Sequence, residues 1–148
     1  AADAVGSAGR TLLIEPINGR DMPGYFLNDF NRAAEIVEKL NHPHLKLQFD
    51  IYHRQILHGD VLRGLRAMMP VIGHVQVASV PDRHEPGTGE LDDFRIFTAL
   101  DDLGYQGWVG CEYRPAGATA EGLGWLARVE CTDRAGNEIA AHNLGAIF

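Results

Sequence analysis

The chain has 148 residues, 45% of them apolar, 22% charged and 8% aromatic, a composition that excludes a fibrous repeat or a disordered tract and suits one domain over residues 1–148. A formal net charge of −7 and the absence of any Lys/Arg cluster argue against a nucleic-acid partner. Cys111 and Cys131 are too few for a disulfide framework and favour a reducing compartment, with the cytoplasm as the default, and no stretch approaches the ~18 apolar residues of a membrane span.

The first ten residues, AADAVGSAGR, read as the end of a helix running into a strand, so the chain is expected to begin partway through a larger protein. Residues 11–17 (TLLIEPI) form a short apolar run that ends in a polar loop, as a buried parallel strand does. Helical spacing of apolar residues predicts a helix over 27–40, closed by His42-Pro43. The pattern recurs with a strand at 45–51, a helix at 56–69 ended by Pro70, and a strand at 71–78. Residues 80–91 (VPDRHEPGTGEL) hold too many Pro and Gly for regular structure, and a loop of that length is usually functional. A helix at 94–103 closed by Gly104, a strand at 107–112 and a helix from Thr119 to about Val129 complete the reading.

Strands alternating with helices imply a parallel sheet with right-handed crossovers. An open doubly wound sheet would show a glycine-rich phosphate loop after an early strand, which this sequence lacks. A TIM barrel places polar residues at the C-terminal ends of its strands, and each strand here ends on or near one: Glu15, Asp50, Gln76 and Glu112. Their spacings of 35, 26 and 36 residues suit one βα unit of a barrel of about 250 residues. The expected fold is therefore α/β, about four βα units forming the second half of a (β/α)8 TIM barrel.

Three carboxylates and an amide oxygen form a hard donor set suited to Mg2+ or Mn2+ rather than Zn2+. Carboxylates brought together repel one another without a cation, and a chelated substrate would gain Lewis-acid stabilisation of an enediolate. Any one of these acids alone is about as often a helix N-cap or an arginine partner. Gln76 alone is more often a plain hydrogen-bonding residue. Arg83 in the long loop offers forked donors to a substrate carboxylate, although pairing with Glu85 would explain it as well. His84 and Glu85 are read as site-shaping rather than catalytic, Gly87 and Gly89 as letting the loop turn, and Trp108 and Trp125 as packing residues.

The segments IEPIN with RDMPGYFLN, LQFDIYH, GHVQVA with PDRHEPGTGE, and GWVGCEYRP with TAEGLGW resemble the hydroxypyruvate isomerase family, a xylose isomerase-like group of TIM barrels. The resemblance runs from about Leu12 to Trp125 and covers about half of a family member, its C-terminal half. It implies that Glu15, Asp50, Gln76 and Glu112 are divalent-metal ligands and that Glu15 and Glu112 are also the acid/base pair. It implies too that His53 hydrogen-bonds a substrate oxygen, as the matching position does in related sugar epimerases. The implied reaction interconverts hydroxypyruvate and tartronate semialdehyde (2-hydroxy-3-oxopropanoate).

A 2-oxo-tetronate isomerase with the same metal site and a roomier pocket is the nearest alternative, and a non-catalytic half-barrel fragment is the alternative from another class. Gln76 argues against a sugar 3-epimerase, where His is expected. Two open strand edges make pairing with another copy an expectation, and the chain alone is expected to turn over weakly or not at all. Residues 126–148 do not resemble the family's ending.

Overall fold

Strands and helices alternate as the hydrophobic spacing predicts: α1 (Ala2–Ser7), β1 (Leu12–Ile14), α2 (Phe30–Leu40), β2 (Leu45–Asp50), α3 (Ile51–Leu57), α4 (Val61–Met68), β3 (Ile72–Val77), α5 (Asp93–Asp102), β4 (Val109–Cys111) and α6 (Thr119–Gly122). The computed structural model describes residues 1–129, so most of the atypical tail lies outside the described residues. The sheet order is β1-β2-β3-β4. The chain divides into two compact units, Ala1–Gln76 and a second beginning at Val77.

In the first unit β1, β2 and β3 are parallel neighbours. Leu45, Leu47 and Phe49 are buried on one face of β2, where Phe49 meets Phe30 of α2 edge-on with ring centroids 5.2 Å apart. Phe30, Ala33, Ala34 and Val37 form the buried stripe of α2, at the spacing an amphipathic helix requires. A fully buried Phe such as Phe30 or Phe49 contributes about 2–3 kcal/mol relative to exposure.

The two-residue period of a strand turns Lys46, Gln48 and Asp50 to the opposite face. A register shift pairs Leu47 with Ile72 but Gln48 with His74, skipping Gly73. A Cβ at Gly73 would lie 2.5 Å from Cβ of Lys46, so a side chain there would crowd the neighbouring strand. The bulge aligns Asp50 with Gln76 on adjacent strands.

Local chemistry explains where the elements differ from the sequence reading. β1 stops before Pro16, which has no N–H for the ladder. The helix expected over 56–69 is two helices. The first starts at Ile51, because the side chain of Asp50 accepts from the backbone N–H of His53 and caps it. It ends at Leu57, and Gly59 and Asp60, both at positive φ (61° and 45°), separate it from α4. Arg54 of α3 donates through Nε to the carbonyl of Gly59 at 3.1 Å.

In the second unit Asp92 caps α5, whose Ile96, Ala99 and Leu100 are buried, and Gly104 at φ 69° follows its end. The helix expected from Thr119 is a single α turn continued as a 3-10 turn, Leu123–Arg128, in a stretch where Gly122 and Gly124 weaken α structure. Trp125 packs as expected, whereas Trp108 is exposed. Among the described residues no helix is long and apolar enough to cross a membrane.

Candidate active site

Asp50 occupies a junction without a loop: it is the last residue of β2 and the N-cap of α3. Its Oδ1 accepts from the N–H of His53 at 3.1 Å, which places His53 in the first helical turn. Asp50 and His53 are almost fully buried, while Glu15, the residue after β1, keeps about a fifth of its side chain exposed. Nε2 of His53 lies 3.9 Å from Oε1 of Glu15 and 4.0 Å from Oδ2 of Asp50. Glu15, Asp50 and His53 each present a ligand atom within 4.8 Å of the other two.

Gln76 is the register partner of Asp50 on β3. Its Oε1 accepts from Nε2 of Gln48 at 2.6 Å, a partner the sequence reading did not single out. Two carboxylates at this separation disfavour each other's charge unless a cation lies between them, and their oxygens with the amide oxygen of Gln76 suit a hard divalent ion.

Asn18 is a further residue the sequence did not point to. It is fully buried, and both its backbone N–H and its Nδ2 reach Nδ1 of His53, at 3.3 and 2.7 Å. The loop after β1 closes on itself where the N–H of Asp21 donates to Oδ1 of Asn18 at 2.9 Å. Tyr52 of α3 donates to Oδ1 of Asp21 at 3.3 Å. The spacing of Asn18 and Asp21 is a readable turn signal, but nothing local announces a contact with His53, 35 residues away.

Glu112 and Arg83 belong to the second unit. Arg83, at φ 60°, places Nη2 2.8 Å from Oε2 of Glu112. The loop after β3 is stitched to the segment after β4: Arg114 N–H donates to the carbonyl of Arg83 at 2.7 Å, and Nδ1 of His84 lies 2.7 Å from the carbonyl of Arg114. Both carboxylate oxygens of buried Glu85 lie 3.2 Å from the N–H of Ala116. Glu85 thus holds the backbone of the segment after β4.

Parallel βα units with acids and an amide at successive strand ends describe a metal-competent TIM-barrel segment. The sequence model of the xylose isomerase-like TIM barrel family matches residues 1–129, and the chain belongs to that family. It is 53% identical over 126 residues to a 2-oxo-tetronate isomerase of Cupriavidus necator, covering 85% of this chain and 48% of that protein. To the hydroxypyruvate isomerase of Escherichia coli it is 42% identical over 115 residues, covering 78% of this chain and 45% of that protein. A solved structure from Brucella melitensis, named as a family 2 AP endonuclease, superimposes with a TM-score of 0.83 at 48% identity, over 86% of this chain and 49% of that one. The chain spans about half the length of the curated relatives it matches.

Proposed function

We propose that this chain carries the metal-binding and proton-transfer residues of an isomerase that interconverts hydroxypyruvate and tartronate semialdehyde. The observation that carries the reading is the grouping of Glu15, Asp50 and His53, with ligand atoms within 4.8 Å of one another at the ends of parallel strands. The names of the relatives from Cupriavidus necator and Escherichia coli support a small sugar-acid substrate.

In this reading Glu15, Asp50 and Gln76 hold a Mg2+ or Mn2+ ion, and Glu112 joins them on the strength of the family resemblance. When bound, the ion supplies Lewis-acid polarisation of the substrate's adjacent oxygens. Glu15 and Glu112 act on the carbons: one takes a proton from the hydroxymethyl carbon, and the other returns one to the neighbouring carbon. The hydroxyl proton moves between the two oxygens, so the product has the composition of the substrate. His53 donates to a substrate oxygen, and Arg83, already bound to one carboxylate, receives the substrate's carboxylate beside Glu112.

A four-carbon 2-oxo-tetronate is the second reading, favoured by the higher identity to the Cupriavidus necator protein. A nuclease role, to which the name of the Brucella melitensis structure points, is opposed by the net charge of −7.

Proton exchange at the reacting carbons tests the proposal. With Mn2+ in heavy water, the protein is expected to wash deuterium into the hydroxymethyl carbon of hydroxypyruvate, and Glu15→Gln to stop it. Exchange with a four-carbon 2-oxo acid only would move the assignment to the second reading. Exchange with neither, in protein that binds Mn2+, would favour the non-catalytic half-barrel fragment over the isomerase for this chain.

A further inference from the structure

Two donors converge on one nitrogen of His53. The backbone N–H of Asn18 reaches Nδ1 at 3.3 Å, and a backbone amide only donates. The side-chain Nδ2 of Asn18 reaches the same atom at 2.7 Å. Asp21 fixes the orientation of that amide at both ends, its N–H donating to Oδ1 at 2.9 Å and its Oδ2 accepting from Nδ2 at 3.2 Å. Tyr52 steadies Asp21 through its hydroxyl, and its ring meets that of His53 edge-on at 5.3 Å.

An Nδ1 that accepts these bonds holds no proton, so the ring is the neutral tautomer protonated on Nε2. Nε2 is the atom that faces Oε1 of Glu15 and Oδ2 of Asp50. Ligating a cation through Nε2 would need its lone pair, and the proton would have to move to Nδ1, against two donors of Asn18. We infer that Asn18, clamped by Asp21 and Tyr52, is a positioning residue that locks His53 as an Nε2–H donor beside the two carboxylates and keeps it out of the metal's ligand set. His53 then hydrogen-bonds a substrate oxygen and stabilises the charge that develops there as the carbon proton leaves. That last step rests on the isomerase reading, whereas the state of the ring does not.

The test is 15N-histidine NMR of the full chain, with the His53 signals assigned by their loss in His53→Gln. Nε2 is expected to be protonated and Nδ1 bare, unchanged by saturating Mg2+. Asn18→Asp puts an acceptor where the donor was and is expected to move the proton to Nδ1, lowering kcat about a hundredfold, as loss of a donor to a developing oxyanion does, with KM little changed. His53→Gln is expected to leave Mn2+ affinity near wild type, while Glu15→Gln lowers it more than about tenfold. A wild-type ring with its proton on Nδ1, or a His53→Gln protein as deficient in Mn2+ as Glu15→Gln, would overturn the inference. If Asn18→Asp does not fold, the wild-type ring state decides. A ring as expected in a protein with no turnover supports the lock and favours the non-catalytic half-barrel reading of the chain.

Discussion

Arg83 grips Glu112 at two points: Nη2 lies 2.8 Å from Oε2 of the side chain and Nε 3.4 Å from the backbone carbonyl. Arg83 makes this contact from a left-handed backbone conformation that costs an ordinary residue about 1–2 kcal/mol. The proposed acid/base glutamate is therefore held by a strained loop residue, and the two properties separate by substitution. Arg83→Gly relieves the backbone and removes the grip on a half-exposed carboxylate, so thermal stability is expected to hold or rise slightly. Turnover is expected to fall by at least about tenfold, whereas equal losses in stability and turnover would make the contact merely structural.

Gly122 is in contact range of Glu85: a Cβ there would overlap the carboxylate that holds the N–H of Ala116. Gly122→Ala is expected to dislodge that carboxylate and to cost about 1–3 kcal/mol in denaturant unfolding, a typical penalty for overpacking. An unchanged midpoint would show that the loop absorbs the methyl group.

Asp93 is fully buried, and its Oδ2 accepts from the N–H of Gly87 at 2.7 Å while Oδ1 has no hydrogen-bond partner among the described residues. Burial raises its carboxyl above the ordinary value, against the Gly87 hydrogen bond, and nearby Asp92 adds to the rise. Between the ordinary and the raised value the folded chain binds more protons than the unfolded one, so this group's contribution to stability falls as pH rises through that window. Asp93→Asn removes the effect, and the Tm difference between wild type and variant is expected to shift against wild type as pH climbs above the ordinary carboxyl value of 3.8. Parallel Tm curves would contradict this.

Cys111 is buried at the end of β4, and burial pushes its thiol up to about 11. Little thiolate exists near pH 8, and iodoacetamide attacks the thiolate. Mass mapping of the folded protein at that pH is expected to find Cys111 unmodified until denaturant is added; rapid labelling of the native state would refute its burial.

The strand ends were legible because each apolar run carries a polar residue at or near its C-terminal end, which singles out Glu15, Asp50, Gln76 and Glu112. The start of α3 was not. LKLQFDI continues as an apolar run past Asp50, and only the cap from Asp50 to His53 shows that the chain turns helical there. The break between α3 and α4 falls at His58-Gly59-Asp60, where positive φ at Gly59 and Asp60 interrupts a helical spacing that the apolar residues alone continue. The contacts of Asn18 with His53 and of Gln48 with Gln76 join residues 35 and 28 positions apart, and no local spacing encodes them. Arg83 is expected to meet a substrate carboxylate, and in this structure it meets the carboxylate of Glu112.

Mn2+ titration followed by electron paramagnetic resonance, on wild type, Glu15→Gln and Asp50→Asn, tests the metal assignment most directly. Asparagine caps a helix about as well as aspartate, so Asp50→Asn leaves the start of α3 intact and removes only the charge. One saturable wild-type site, weakened more than about tenfold in both variants, is the predicted result. Wild-type affinity in both variants would mean that these two carboxylates do not hold the ion.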